Sequence, residues 1–262
     1  MTSPAYIQDP STQTLQRLST ASPLVNLSGI SALEVGEEGL QLQAASGKEE
    51  WFCSFVPGWR GLLLVNHGAC HVVAGSASYK AGDISLLAKL QAFLDEDRGI
   101  EYRVAPNTAP VVLVTGDGMA VLRDRSATEN WFLGRLFCAE ATAGAISSLL
   151  RRLECYAVVR FLLAYSIDKK NLRVLAKRYG VSYTHFRRLC NYALGCSAKA
   201  ELNNWRLARS LLELVDCKKN SSITEVALKH GYASGSHFST DVKGQVGVSP
   251  RVLSDIFKLA VK

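Results

Sequence analysis

The spacing of apolar residues changes about halfway along the chain. From residue 24 to about 127, short apolar runs rich in β-branched and aromatic residues are separated by turns that contain Gly and Pro, a pattern typical of strands. The runs are WFCSF (51–55), LLLVN (62–66), CHVVAG (70–75), DISLLA (83–88) and VVLVTG (111–116). From about residue 128 the apolar positions recur at the spacing of helices. The sequence therefore predicts an α+β protein: a β-rich domain, arranged as a small barrel or sandwich, and then an all-α domain.

Four segments follow from these patterns. Residues 1–23 are rich in Ser, Thr, Gln and Pro and are predicted to be a flexible leader. Residues 24–127 form the β-rich domain, 128–164 a helical connection of one or two helices, and 165–262 the all-α domain. The AGD turn (Ala81 to Asp83), placed between two predicted strands, resembles the cupin-like folds that often serve as sensory domains.

The all-α domain contains the same short pattern twice. GVSYTHFRRLC begins at Gly180, and GYASGSHFSTD begins at Gly231. In each copy the glycine can adopt the left-handed backbone that ends a short amphipathic helix. A serine, Ser182 or Ser234, is then a natural N-cap for the next helix. A short helix, a tight turn and a second helix predict one helix-turn-helix unit in each copy.

A single long linker helix is predicted between the two copies, over SAKAELNNWRLARSLLELV (197–215). Its inward stripe is expected to consist of Leu207, Ala208, Leu211, Leu212 and Val215. At about 1.5 Å per residue a helix of this length spans roughly 27 Å. That length is near the ~34 Å between neighbouring major-groove segments on one side of a DNA duplex. The linker would therefore set two groove-reading helices about one DNA turn apart.

The two halves of the chain carry opposite net charge. Residues 1–145 contain 10 Lys and Arg against 15 Asp and Glu, a net of −5. Residues 146–262 contain 20 Lys and Arg against 8 Asp and Glu, a net of +12. The basic half is a candidate for binding a polyanion, with a solvated basic face as the alternative.

No motif supports an enzyme. The chain contains no Walker loop, GxSxG elbow or GxGxxG motif, and the only His cluster, HGACH (67–71), lacks an evident third metal ligand. We therefore expect no catalytic residue, no cofactor and no metal. The 7 cysteines form no CxxC pair, the N-terminus lacks a signal-peptide pattern, and no apolar run is long enough to span a bilayer. These features predict a cytoplasmic protein without a membrane contact.

The second copy resembles the DNA-binding domain of the AraC/XylS family of transcription regulators. SITEVALKHGYASGSHF (222–238), followed by GVSP (247–250), is similar to the family's helix, glycine turn, S-x-S-H-F and G-x-S-P. GVSYTHFRRLCNYALG (180–195), with NNWRLARSLL (203–212), resembles one branch, the InvF-like activators of invasion-associated type III secretion genes. The resemblance covers about residues 165–260 and identifies residues 165–262 as an AraC-type double helix-turn-helix domain.

The resemblance implies a transcriptional activator that binds double-stranded promoter DNA and acts with RNA polymerase. In the InvF-like branch the expected signal is a secretion chaperone of the tetratricopeptide type, which would make residues 24–127 the regulatory, partner-binding domain. Chaperone control predicts an exposed apolar surface around Trp51, Phe52, Phe55 and Trp59. Control by a small molecule predicts instead a closed pocket inside a cupin-like domain. Both alternatives stay open on the sequence, and so does a homodimer.

The resemblance also assigns residues that would contact DNA. By family position Thr184, Arg187 and Arg188 would enter the major groove, where an arginine can bond guanine O6 and N7 together. The full set for the first unit is Ser182, Tyr183, Thr184, His185, Arg187 and Arg188. The set for the second unit is Ser234, Gly235, Ser236, Ser239, Thr240 and Lys243. Phosphate contacts are expected from Lys177, Arg178, Arg206, Arg209 and Arg251.

The second unit departs from the family at Thr240, where an arginine is common, and Asp241 beside it would repel phosphate. We therefore expect the second unit to hold the DNA backbone while the first unit reads bases.

Two other classes of protein compete with a regulator on the sequence alone. One is a ligand-binding or enzymatic cupin whose helical half is an interaction module. The other is a DNA-repair methyl acceptor, because some of these carry the same helical domain; it would need a reactive cysteine in a four-cysteine metal site. The cysteines of the helical half, Cys190, Cys196 and Cys217, are expected to be structural instead.

Overall fold

The structure, a computed structural model, describes residues 15–21, 24–27, 29–46, 49–65, 69–101, 111–138, 140–165, 171–216 and 221–260. The chain divides into an N-terminal unit, Met1–Ala157, and a C-terminal unit, Val158–Lys262. Among the described helices, none is both long enough and apolar enough to cross a membrane. His67 and Cys217, which the sequence singles out, lie outside the described residues.

The described strands of the N-terminal unit pair into one seven-stranded antiparallel sheet. They are β1 (Gln16–Ser19), β2 (Leu24–Asn26), β3 (Gly29–Ser46), β4 (Glu49–Phe55), β5 (Arg60–Val65), β6 (Ala69–Gly82) and β7 (Val111–Thr115). The long β3 pairs with β6 along one edge, and with β5 and then β4 along the other. β1 and β2 also pair with β6, and β7 pairs with β5. The strands expected from the sequence pattern are therefore confirmed in four of five runs, but the described strands form one open sheet rather than the small barrel or sandwich that was expected.

Both faces of this sheet carry buried side chains: Ile30, Ala32, Leu62 and Leu64 lie on one face, and a core cluster of the N-terminal unit lies on the other. Side chains that are fully buried there include Leu18, Leu33, Leu42, Leu63 and Cys70. Leu18 belongs to β1, inside the segment that the sequence predicts to be a flexible leader. Burial of this side chain and pairing with β6 order the last part of that segment.

The fifth run, DISLLA, was predicted to be a strand and is a helix. Asp83 is the N-cap of α1 (Ile84–Asp97), and its carboxylate accepts a hydrogen bond from the backbone N–H of Ser85 at 2.9 Å. The five residues from Ile84 to Ala88 are all buried, so no exposed position reveals the helical period. The AGD turn therefore joins β6 to a helix instead of joining two strands, and the feature behind the cupin resemblance is absent.

Three more helices lie in the described part of the N-terminal unit, and a fourth spans the division between the units. They are α2 (Gly118–Val121), α3 (Arg125–Phe137), α4 (Ala143–Arg151) and α5 (Glu154–Tyr165). The stretch 128–164 therefore contains three helices, not the one or two predicted. The sequence pattern misses the breaks because the apolar positions on both sides of each break share similar spacing.

A buried carboxylate joins three of these helices. Asp95 of α1 is 1% exposed and accepts two hydrogen bonds from Arg151 of α4, both 2.7 Å long. It also accepts one from the Tyr156 hydroxyl of α5 at 2.7 Å and one from Gln91 at 2.9 Å. Burial acts to raise the pKa of Asp95, but these hydrogen bonds outweigh burial and hold the pKa below its ordinary value. The buried charge is thus fully paired.

The C-terminal unit continues with six helices among its described residues. They are α6 (Leu172–Tyr179), α7 (Tyr183–Leu194), α8 (Ala198–Val215), α9 (Ile223–Lys229), α10 (Gly235–Val246) and α11 (Pro250–Ala260). Two helix-turn-helix units, α6–α7 and α9–α10, stand on either side of the long helix α8, as the sequence predicts.

The buried stripe of α8 differs from the predicted one. Leu207 and Leu214 are buried and Leu211 packs against the same core, whereas Ala208 is exposed and Leu212 is 69% exposed. The true stripe follows the spacing of four and three residues, and each position one residue later is turned about 100° toward solvent. The core instead accommodates Ser210, whose hydroxyl donates to the carbonyl oxygens of Arg206 and Leu207 at 2.8 and 2.9 Å.

Candidate nucleic-acid interface

The first helix-turn-helix unit is built around a glycine turn and a ring cluster. α6 ends at Gly180, whose φ of 86° lies in the left-handed region that favours glycine. Ser182 then caps α7 by accepting a hydrogen bond from the backbone N–H of His185 at 3.3 Å. Phe186 is buried on the inner face of α7, and its ring centroid lies 5.6 Å from that of Tyr179 and 6.1 Å from that of Phe161. This packing fixes which face of α7 is turned outward.

The residues assigned to DNA contact in the first unit lie at this outward face. Ser182, Tyr183, Thr184, Arg187 and Arg188 are exposed, and His185 is half-buried at the edge. Tyr183 and Arg187 are one helical turn apart, as are Thr184 and Arg188, so these four form two adjacent rows. The structure thus brings the predicted set together on one surface, the recognition face of α7.

Two arginines of the first unit stack on tyrosine rings. The guanidinium carbon of Arg178 lies 4.8 Å from the ring centroid of Tyr165, and that of Arg173 lies 5.2 Å from the ring centroid of Tyr183. Both distances fall within the ~6 Å typical of cation–π contacts. Sequence reasoning missed Arg173, because its partner lies across the turn and no local spacing reveals the pair.

The second helix-turn-helix unit repeats the backbone plan. Ser222 and Glu225 form a capping box at the start of α9: the Ser222 hydroxyl accepts from the Glu225 N–H at 3.2 Å, and the Glu225 carboxylate accepts from the Ser222 N–H at 2.7 Å. Gly231, with φ of 80°, makes the turn, and Ser234 caps α10. Phe238 is fully buried, like Phe186 in the first unit.

The outward face of α10 carries short side chains that bond to their own helix. Ser234, Ser236, Thr240 and Lys243 are exposed, while Gly235 and Ser239 are half-buried. The Ser239 hydroxyl donates to the Gly235 carbonyl at 2.8 Å, and the Thr240 hydroxyl donates to the Ser236 carbonyl at 3.1 Å. Two of the hydroxyls that were predicted to contact DNA therefore already donate a hydrogen bond within the helix.

The acidic residue of α10 is tied down within the unit. Asp241 is half-buried, and its carboxylate accepts a hydrogen bond from the Tyr232 hydroxyl at 2.9 Å. Burial, followed by this bond, raises the pKa of Tyr232. The guanidinium carbon of Arg206 of α8 lies 4.5 Å from the centre of the Tyr232 ring on which it stacks. Arg206, Tyr232 and Asp241 thus link the linker helix to the second recognition helix.

The five cationic residues predicted to contact phosphate differ in their exposure to solvent. Lys177, Arg178 and Arg251 are exposed, whereas Arg206 and Arg209 are half-buried. The stacking of Arg206 on Tyr232 favours a packing role for its side chain over a phosphate contact.

A small depression, open to solvent, lies on α10 and has a volume of about 300 Å³. It is lined by His237, Thr240, Asp241, Gly244 and Gln245. These residues follow the spacing of one helix face, and His237 and Gln245 are not among the residues predicted to contact DNA.

The chemistry of the cysteines argues against a reactive thiol in the recognition helix. Cys190 is fully buried on the inner side of α7, and burial raises its pKa to about 12. A thiol with this pKa is protonated at neutral pH and is a poor nucleophile. Among the described residues no group of His, Cys, Asp and Glu side chains is arranged to hold a metal ion.

Comparison with known proteins places this arrangement in a family. A family model described as a helix-turn-helix domain matches residues 175–255. The chain is 42% identical over 201 residues to the invasion protein InvF of Salmonella typhi, an alignment that covers 77% of this chain and 92% of that protein. It is 38% identical over 147 residues to the transcriptional regulator MxiE of Shigella flexneri, covering 54% of this chain and 69% of that protein.

Among solved structures, an AraC-type transcriptional regulator from Chromobacterium violaceum matches 38% of this chain and 88% of its own, with 25% identity and a TM-score of 0.35. The extent and identity of the match to InvF decide the assignment. The chain belongs to the AraC/XylS family of DNA-binding transcription regulators and to its InvF-like branch.

Proposed function

We propose that the chain activates transcription of type III secretion and effector genes by binding their promoters with both helix-turn-helix units. In this account the first unit reads bases, the second unit holds the DNA backbone, and a secretion chaperone bound to the N-terminal half controls activity. RNA polymerase is the partner that the bound activator would engage. The chain's similarity to InvF, an invasion protein, supports the choice of target genes.

The observation that carries the proposal is the recognition face of α7. Arg187 and Arg188 are exposed there, in the half of the chain with a net charge of +12. Arginine offers a planar fork that matches guanine in the major groove, and each good bidentate contact discriminates by about 1–3 kcal/mol. α10 has Ser239 and Thr240 at the corresponding positions, and neither side chain has the planar fork that makes a bidentate contact to a base, so the second unit is left to hold the backbone.

The linker helix supports simultaneous binding by both units. α8 has 18 residues, and at about 1.5 Å per residue it spans roughly 27 Å. Neighbouring major-groove segments on one side of a duplex are ~34 Å apart. A rigid helix of this length suits two recognition helices that occupy adjacent segments.

The case for control by a protein partner rests on one exposed side chain of β4. Phe52 is 57% exposed, whereas Phe55 is 6% exposed and Trp51 and Trp59 pack against the core. Side chains alternate along a strand, so Trp51, Cys53 and Phe55 face the core while Phe52 and Ser54 face outward. The apolar surface expected from the sequence is therefore reduced to Phe52 and Val56 in the following turn.

The DNA half of the proposal is tested by footprinting the full chain on a duplex that it selects from a randomised pool. Two protected segments on one side of the duplex, about one turn apart, are expected. One protected segment that persists when α10 is altered by Ser236→Ala and Thr240→Ala would contradict binding by two units.

The control half is tested with a reporter driven by the selected duplex. We expect activation only when a tetratricopeptide-type secretion chaperone is produced together with the chain, and Phe52→Ser should abolish the response while Ser54→Ala, on the same outward face, retains it. Full activation without any chaperone would contradict chaperone control and favour a small-molecule signal.

A further inference from the structure

We propose that Arg173 is a positioning residue that holds Tyr183 ready for contact with DNA, an inference that rests on the proposed function above. The Arg173 side chain itself would not bind DNA. It would act through the tyrosine ring, and its contribution would be confined to the first helix-turn-helix unit.

The geometry joins the beginnings of two helices. Arg173 is the second residue of α6, and Tyr183 is the first residue of α7. The guanidinium carbon lies 5.2 Å from the centre of the Tyr183 ring, so the pair spans the turn between the helices.

Both backbones are fixed independently of this pair. The Asn171 side chain accepts a hydrogen bond from the backbone N–H of Arg173 at 3.0 Å, and Ser182 caps α7 next to Tyr183. The freedom that remains to Tyr183 is rotation of its side chain. A ring held against a guanidinium has lost part of that freedom before DNA arrives, which lowers the entropic cost of binding.

The position of Tyr183 indicates what its hydroxyl would contact. Tyr183 precedes Arg187 by one helical turn, so both lie in the same row of the recognition face. Tyr183 is 36% exposed: much of the side chain is covered while the rest is open to solvent. With the ring used by Arg173, the hydroxyl is the group left to bond a phosphate or a base edge.

The second unit shows that this use of the ring is particular to the first. Counted from the N-cap serine, the residue of α10 that corresponds to Tyr183 is Gly235, which has no ring. Tyr232, the tyrosine that stacks on Arg206 in the second unit, is 2% exposed and donates its hydroxyl to Asp241. That pair holds the unit together and has no hydroxyl left for DNA.

The test is a double-mutant comparison in the full chain, with the duplex that the wild type selects from a randomised pool as the probe. Tyr183→Phe keeps the ring and removes only the hydroxyl, so it should weaken binding roughly 2- to 10-fold. Arg173→Ala should weaken binding of the wild type about 2- to 5-fold and should have no further effect in the Tyr183→Phe background. Lys199→Ala, which removes an exposed cation of α8 outside the recognition face, is the matched control and should bind like the wild type.

A salt series separates positioning from direct contact. Arg173→Ala should leave the slope of log affinity against log salt unchanged, because a positioning residue neutralises no phosphate. Equal losses in both backgrounds, or a slope smaller by about 1, would show that Arg173 binds phosphate itself and would overturn the inference. An unchanged affinity of Tyr183→Phe would overturn it too. Arg187→Ala, measured in the same assay, tests the proposed function separately, and a wild type without any sequence preference overturns both.

Discussion

The two helix-turn-helix units share one backbone plan and differ in what they present to solvent. Each has a glycine turn, a capping serine and a fully buried phenylalanine: Phe186 in the first unit and Phe238 in the second. At the sixth position after the capping serine the first unit has the exposed Arg188, and the second has Thr240, whose hydroxyl is bonded to its own helix. The two copies thus share a scaffold, while the exposed arginines that we propose to read bases lie in the first copy.

The tyrosines of the two units show the same division. Tyr183 lies at the surface of the first unit, stacked on Arg173, whereas Tyr232 is buried in the second between Arg206 and Asp241. The same pair of side-chain types is thus exposed at the surface in one unit and packed inside the other.

The largest expected effect tests the shared scaffold. Phe186→Ala and Phe238→Ala should each lower the free energy of unfolding by about 3–5 kcal/mol, because each leaves a cavity in place of a fully buried ring. Urea unfolding of the full chain, followed by far-UV circular dichroism, measures both. A loss in only one variant would contradict equal construction of the two units.

The next effect concerns the outward faces and exchanges one residue between them. Arg188→Thr should weaken binding to the selected duplex by about 1–3 kcal/mol. Thr240→Arg should instead tighten binding and increase the salt slope by about 1, because a new cation reaches the backbone. Fluorescence anisotropy across a salt series gives both numbers. A larger loss of affinity in Thr240→Arg than in Arg188→Thr would contradict the proposed difference between the outward faces of α7 and α10.

A smaller effect separates the two tyrosines by stability. Tyr232→Phe removes the donor to Asp241 inside the second unit and should cost about 0.5–1.5 kcal/mol of unfolding free energy. Tyr183→Phe changes only a surface hydroxyl and should stay within about 0.5 kcal/mol of wild type. Paired thermal and urea unfolding curves provide the check, and equal losses would mean that Tyr183 is also internal.

The smallest effect is a pH dependence that comes from an ion pair between α8 and the end of α9. Glu213 of α8 accepts hydrogen bonds from Lys229 at 2.6 Å and His230 at 2.8 Å. The bond from Lys229 lowers the pKa of Glu213, the bond from His230 adds to it, and burial opposes both. Because the folded pKa lies below the unfolded value of about 4.3, the stabilisation is present at neutral pH and lost as pH falls through the folded pKa.

Glu213→Gln should therefore lower the melting temperature slightly at pH 7, and the difference from wild type should shrink as pH falls below the ordinary glutamate pKa. Differential scanning calorimetry of both chains across this range measures it. A difference that grows as the pH falls would show that ionised Glu213 does not stabilise the folded chain.

The sequence predicted the helix-turn-helix units well because their signals are local. The glycine at 180, the capping serines and the apolar spacing each constrain a few neighbouring residues, and the structure has them as expected. The strand predicted at DISLLA failed because Ile84–Ala88 is buried on all sides, which removes the period that distinguishes a helix from a strand. The stripe of α8 was predicted correctly at Leu207 and Leu211 and wrongly at Ala208 and Leu212, because only the packed core shows that Ser210 is buried and Leu212 is not.

Contacts across the fold were beyond the reach of sequence patterns. Asp95 and Arg151 are far apart in the chain, and nothing near either residue indicates their pairing. The hydrogen bond from Tyr232 to Asp241 likewise gives an acidic residue of α10 a part in holding its own unit together, which no local spacing indicates.

The measurement that tests the central claim most directly is the sequence preference of two matched double variants of the full chain. The affinity for the selected duplex is divided by that for a scrambled duplex, in wild type, in Arg187→Ala/Arg188→Ala, and in Ser239→Ala/Thr240→Ala at the corresponding positions of the second unit. We predict that the first pair of substitutions abolishes the preference, and that the second pair retains it while weakening both duplexes alike. A preference that survives in the first variant and is lost in the second would contradict the assignment of base reading to the first unit.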